Sequence, residues 1–146
     1  QAEVMKMLDG NQAAMFQARQ AGALPGELKI EWADVSNGHA SGGFTVEKIH
    51  MAPNGFMHAA SVVALTDTAC GYGCVASLPE GASGFTTIEI KANYLGTAKV
   101  GERVTCEARL LHGGGMTQVW DAEAVNATTG KVICAFRCTQ MVLYPR

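Results

Sequence analysis

The chain has 146 residues, 48% of them hydrophobic and only 16% charged. That length suits one domain spanning 1–146, and the composition suits a packed core rather than a disordered chain. The formal net charge of −2 supplies no basic field, so nucleic acid is not an expected partner.

Taken in order, Gln1 to Ala23 reads as a helix, because Val4, Met7, Leu8, Ala14, Met15 and Ala18 recur at three- and four-residue steps. Gly10 weakens it, and the cluster Gly22, Pro25 and Gly26 ends it. Glu27 to Val35 reads as a strand through the alternation of Leu28, Ile30 and Trp32. Ser36 to Gly43, rich in Gly, Ser and Asn, reads as a loop. Gly43 to His50 reads as a second strand with Phe44, Val46 and Lys48 on one face. Pro53, Asn54 and Gly55 mark another loop.

Residues 57–78 read as one long helix, closed by Pro79 and Gly81. Its apolar residues, among them Ala60, Val62, Val63, Leu65, Ala69 and Val75, are spread around the circumference. A helix lying on an open sheet keeps a polar outer face; a helix wrapped by a sheet has no need of one. The interruptions at His58, Ser61, Thr66, Asp67 and Thr68 argue against a membrane span, and no signal-peptide pattern is evident. Small residues (Ala59, Ala60, Gly71, Gly73) allow close approach by strands or another subunit.

Beyond Gly84 the period changes to two. Thr86, Ile88, Ile90, Ala92 and Tyr94 fall on one face of a strand, and Val104, Cys106, Ala108 and Leu110 on one face of the next. Two further strands follow, with turns at Gly113–Gly115 and Asn126–Gly130. The expected class is therefore α+β: a curved antiparallel sheet of about six strands around one central helix, preceded by an N-terminal helix. The five cysteines, Cys70, Cys74, Cys106, Cys134 and Cys138, form an odd set without zinc spacing. They read as reduced core residues of a cytoplasmic protein, with no metal and no cofactor implied.

Two features carry chemistry. Asp67 sits in the middle of the apolar helix, and its neighbours at three and four residues, Val63, Ala64, Cys70 and Gly71, include no cation. A carboxylate there bonds a hydroxyl, an amide or water, or faces a cleft as nucleophile or general base. The helix start is the other feature. Its first amides lack intrahelical acceptors and carry the positive end of the helix dipole, which suits a developing oxyanion. His58 there reads either as a cap or as a functional group.

These residues lie in "NGFMHAASVVALTDTACG", which resembles the signature of the PaaI-like (phenylacetate-degradation-type) hot-dog thioesterases, G-x-x-H-G-G followed by a small apolar run ending in L-x-D. Gly55, His58, Leu65 and Asp67 match. "TIEIKANYLGTAKVGERV" is similar to that family's next strand pair. The resemblance implies a hot-dog fold and hydrolysis of acyl-CoA by a homo-oligomer, a dimer or a dimer of dimers. By that resemblance Asp67 is nucleophile or base, the Ala59 amide polarises the thioester carbonyl, His58 fixes the loop or touches the thioester, and Thr87 stands near the carboxylate. Asn54, Gly55 and Ala60 would line the substrate site. The sequence departs from the pattern at Ala52, where the family has Asn or Gln, at Gly96–Thr97, and in the segment after His112. The last two leave the CoA phosphates to Lys91, Lys99, Arg103 or Arg109, or to none of them. A catalytically silent acyl-CoA-binding module and an enoyl-CoA hydratase or dehydratase using His58 with Asp67 are the alternatives.

Ala59 and Asp67 are eight residues apart, about 12 Å along a helix. A reacting carbon must lie within roughly 3–3.5 Å of its attacker. One chain can hardly satisfy both groups, so the reading requires two helices across a twofold axis. Acyl-pocket depth would depend on Met57, Val62, Thr66 and Phe85.

Overall fold

The structure, a computed structural model, describes residues 10–146. Within it a helix, α1 (Ala13–Arg19), is the described part of the expected N-terminal helix; the remainder of that expectation, residues 1–9, lies outside the described residues. The helix does not run unbroken through Asn11 and Gln12. The Asn11 side-chain oxygen instead accepts from the amides of Ala13 (2.9 Å) and Val35 (3.2 Å), and its Nδ2 donates to the Ala33 carbonyl. The Gln12 amide donates to the Val35 carbonyl at 2.7 Å. This stretch is thus tied to the neighbouring strand, and a side chain that bonds backbone groups competes with the helix for them.

A four-residue helix, α2 (Leu24–Glu27), then leads to Lys29, which adopts a positive φ of 58°. The first strand, β1 (Glu31–Ser36), therefore begins later than the alternation suggests. It is joined by Asn37 and Gly38 to β2 (His39–Thr45). The expected loop over 36–43 is mostly strand. Gly42 and Gly43 are there for closeness rather than for turning: a Cβ on Gly42 would meet the Trp32 ring at 2.6 Å, and one on Gly43 the Val104 carbonyl oxygen at 2.3 Å. The expected second strand correspondingly ends at Thr45, and Lys48–His50 forms a 3-10 turn that places Lys48 outside the sheet.

The central helix, α3 (Ala59–Ala76), is two residues shorter at each end than its expected span. Its C-terminus closes on Ser77, whose hydroxyl donates to the Gly73 carbonyl at 2.7 Å. Four strands complete the chain: β3 (Gly84–Tyr94), β4 (Arg103–Gly113), β5 (Thr117–Asn126) and β6 (Lys131–Leu143). They form one six-stranded antiparallel sheet in the order β1-β2-β4-β5-β6-β3. The sheet curves around α3, the hot-dog arrangement that the resemblance implies. By length and mean hydropathy α3 could span a membrane; here it is the core element.

The core lies between α3 and the concave face of the sheet, around Leu65, Phe44, Ile133, Val104 and Trp120, all fully buried. All five cysteines are free and buried in it. Burial pushes the Cys74 thiol up to about 12.

The two edges of the sheet are treated differently. On β1, the Gln17 side chain of α1 accepts from the Trp32 amide at 2.9 Å and donates to the Ile30 carbonyl, and Gln12 takes Val35. Gln20 adds a bond to the Trp32 indole at 2.8 Å and one to the Ile30 carbonyl at 2.7 Å. The other edge, β3, carries Ile88, Ile90 and Tyr94 half exposed along its length.

Candidate active site

The approach to α3 is a small closed turn. Met51 bridges to Met57, the Ala52 amide donates to the Phe56 carbonyl at 2.7 Å, and Gly55 turns the chain at φ 88°. Asn54 stands exposed at the tip, its side-chain oxygen accepting from the Phe56 amide at 3.2 Å. The turn is anchored by His50, a residue that the sequence did not single out. His50 is fully buried, stacks on Phe44, accepts from the Glu47 amide through Nδ1, and bonds the Leu28 carbonyl through Nε2 at 2.7 Å. Its carbonyl accepts from the His58 amide (2.9 Å) and the Ser61 hydroxyl (2.9 Å).

His58 is the N-cap of α3. Its Nδ1 accepts from the Ala60 amide at 2.9 Å, and its carbonyl accepts from the Ser61 amide at 2.9 Å. An accepting Nδ1 leaves the ring proton on Nε2. The amide of exposed Ala59, between these two bonds, has no acceptor from the described part of the chain. It is an orphan donor at the positive end of an 18-residue helix.

Asp67 lies two turns further on. Among the described residues neither an ion pair nor a hydrogen bond reaches it, and its buried Oδ1 is one of two buried side-chain polar atoms without a partner. Burial, with no cation to offset it, holds its carboxyl above the usual carboxylate range. The helix is unbroken between Ala59 and Asp67, so their separation along it is about 12 Å. His58 is further still from Asp67 of its own chain, which disfavours a single-chain His–Asp pair.

Thr87 reaches the helix side of the sheet through an irregularity. Cross-strand partners share a face: Ile90 pairs with Cys138 and Ala92 with Phe136, both of which face the core. Strict alternation from Ile90 would put Thr86 on that face and Thr87 on the other, as the period-two reading has it. A register shift between Thr87 and Glu89 reverses this. Thr86 pairs with Met141 and turns outward, while Thr87 pairs with buried Gln140 and donates to its Oε1 at 2.6 Å.

The other expected residues divide. Met57, Val62 and Thr66 are buried, and Phe85 is half-buried against Gly71. Arg103 and Arg109 lie on the outer face of the sheet and pair with Glu31 and Glu107. A groove of about 960 Å³ on that face, lined by Lys91, Arg103, Arg109, Asp121 and Arg137 among others, includes none of His58, Ala59, Asp67 and Thr87.

The thioesterase superfamily model matches residues 54–133, the stretch that holds the cap, Asp67 and Thr87. The 1,4-dihydroxy-2-naphthoyl-CoA hydrolase of Listeria monocytogenes serotype 1/2a (strain 10403S) is 35% identical over 113 residues, 77% of this chain and 89% of that protein. Two solved structures share the fold. The PaaI protein of the E. coli phenylacetic acid degradation operon has a TM-score of 0.79 at 23% identity, over 90% of this chain and 91% of that one. A mutant thioesterase from Pseudomonas aeruginosa has a TM-score of 0.83 at 24% identity, over 90% and 93%. With more than half its length under the family model and a relative of this identity across most of both chains, the chain belongs to the thioesterase superfamily.

Proposed function

We propose that the chain is a thioesterase that hydrolyses acyl-CoA, with aryl or medium-chain acyl groups, to free acid and CoA. The observation that carries this reading is a pair of groups on α3 left unpartnered among the described residues: the Asp67 carboxylate, an acceptor with no donor, and the Ala59 amide, a donor with no acceptor. A thioester carbonyl held between them satisfies both. Asp67 attacks the carbonyl carbon, or takes a proton from a water that does so. The carbonyl oxygen gathers negative charge at the Ala59 amide. The C–S bond then breaks and the CoA thiolate leaves; where water attacked, the thiolate takes up the proton held by Asp67, and where Asp67 attacked, water hydrolyses the acyl–Asp67 anhydride, releasing the acid, restoring the carboxylate and supplying that proton. His58, with its proton on Nε2, offers a second donor on the thioester side, and Thr87 stands beside the carboxylate.

The 12 Å between Ala59 and Asp67 requires the amide from one subunit and the carboxylate from another. The sheet supports this. Its β1 edge is covered by α1, whereas the β3 edge presents 11 residues of strand with exposed isoleucines. Such an edge needs a partner, and a second copy of β3 continues the sheet about a twofold axis, giving two equivalent sites. The five buried, reduced cysteines suit the cytoplasm.

A thiol-release assay over a panel of acyl-CoAs tests the proposal. The wild-type chain releases CoA, and Asp67→Asn binds the same substrates while turning over orders of magnitude more slowly. Binding without release by the wild type would make the chain a silent acyl-CoA module.

A further inference from the structure

Two buried side-chain atoms are unpartnered among the described residues, and they are complementary: the acceptor Asp67 Oδ1 and the donor Gln140 Nε2. Gln140 is fully buried. Leaving a buried amide N–H unbonded is costly, so a position that keeps one calls for a reason. Its neighbour does not supply the partner. Gln118, directly across on β5, donates to the Ser77 carbonyl and accepts from the Trp120 indole, and it forms no bond to Gln140 Nε2. Thr87 occupies Gln140 Oε1. Only the NH2 group is free.

Two contacts place the surroundings of Asp67 and Gln140 on facing surfaces of α3 and the sheet. Cys70, three residues beyond Asp67, meets the thiol of Cys138, which lies two residues before Gln140 on the same face of β6. Gly71, one helical turn beyond Asp67, lies against Phe85, two residues before Thr87. The Asp67 charge also acts on the Cys70 thiol. The titratable groups around this space are Asp67 and the thiols of Cys70, Cys106 and Cys138. Tyr94 lies further along β3, beside Cys134.

Resting on the thioesterase reading, we propose that Gln140 is a positioning residue for the reaction: its Nε2 donates to the Asp67 carboxylate through one water, while its Oε1 holds the Thr87 hydroxyl. Two consequences follow for the chemistry. One carboxylate oxygen is fixed, which leaves the other aimed at the water or the thioester carbon. The Thr87 hydroxyl, with its proton given to Gln140, presents lone pairs and so accepts a hydrogen bond from the attacking water. The amide thus orients base and hydroxyl together, from a strand that no substrate need touch.

The test uses the full-length chain and three variants. Gln140→Met keeps volume and removes both bonds. It is expected to lower kcat by roughly 10- to 100-fold through misplacement of the base, with KM little changed. Loss of a donor to the carboxylate also moves the acid limb of kcat/KM upward by about one pH unit. Gln118→Met removes an equally buried glutamine next door and is expected to lower Tm while leaving the limb in place. A Gln140→Met enzyme with wild-type kcat and an unmoved limb would reduce Gln140 to a structural role, as would an equal shift in Gln118→Met. Should Gln140→Met not fold, the Gln140 side-chain amide signals of the wild-type chain, followed by NMR through the acid range, decide the matter. They are expected to move with the Asp67 titration and to stay flat in Asp67→Asn; flat wild-type signals overturn the proposal. That readout needs no turnover, so it separates failure here from failure of the thioesterase reading, which rests on the activity of Asp67→Asn.

Discussion

The imidazole of His58 accepts the amide of Ala60 at 2.9 Å, while the intervening amide of Ala59 has no acceptor among the described residues. Ala59 is the first residue of α3, where proline fits a helix because its missing N–H is unused there. The preceding His58, at φ −69° and ψ 132°, already has the extended backbone that a proline demands of its neighbour. Ala59→Pro therefore deletes one hydrogen-bond donor with little cost to the fold. If that amide holds the oxyanion, kcat should fall about 10²- to 10³-fold at a Tm within a few degrees of wild type. Steady-state kinetics alongside a thermal melt would show it; an unchanged kcat would remove Ala59 from the mechanism.

Asp67 should be costly to the fold where it is useful to the reaction. Its carboxyl is held above its ordinary value by burial, so the folded state keeps a proton that the unfolded state releases. A raised folded value means that ionisation favours unfolding. The penalty is absent below the unfolded value near 3.8, grows as pH rises toward the folded value, and is complete above it. Asp67→Asn is accordingly expected to raise Tm at pH 7 and to lose that advantage at low pH, while activity collapses. Melts of both proteins across the acid range check the sign. The same shift places the acid limb of kcat/KM above the range of an ordinary aspartate.

A charge on the bare strand should separate the subunits. Ile90 is half exposed on β3, facing the helix side. Ile90→Lys spares the fully buried core of one chain but puts a solvated cation into the proposed β3–β3 contact. Sedimentation is expected to show monomers, with thioester hydrolysis lost in proportion. Retained activity in a monomer would contradict a shared site.

The two glycines of α3 should respond differently to the same methyl. At Gly73 a Cβ would stand 2.5 Å from the ring of fully buried Trp120, which has nowhere to go. Gly73→Ala is expected to destabilise by about 1–3 kcal/mol despite a better helix propensity. At Gly71 the contact is 3.1 Å to the end of half-buried Phe85. That ring can yield, and Gly71→Ala should gain up to about 1 kcal/mol of propensity. Urea denaturation of both variants measures the contrast.

Asp67 was legible in the sequence because a lone acid in an apolar helix breaks a strong pattern, and the run of period-two strands made the sheet legible too. Gln140 breaks its pattern in the same way, as a polar residue in the inward series Cys134, Phe136, Cys138, Gln140 and Val142, but only knowledge of which face is inward exposes it. Thr87 was read from the resemblance while the alternation put it on the wrong face. One extra residue in a strand reverses every position beyond it, and alternation alone cannot locate that residue. His50 was missed because its work is done by ring nitrogens and a carbonyl reaching back to Leu28 and on to His58, partners remote in sequence. The loop over 36–43 misled because glycine signals a turn, whereas Gly42 and Gly43 serve close packing against Trp32 and β4.

If copies pair through β3 as proposed, the bonds from Gln12, Gln17 and Gln20 onto β1 also set how many can join. A sheet with one open margin pairs once and stops; a sheet with two can add copies indefinitely. Trimming the chain through Gln20 would then turn a self-limiting pair into an assembly that grows as fibres.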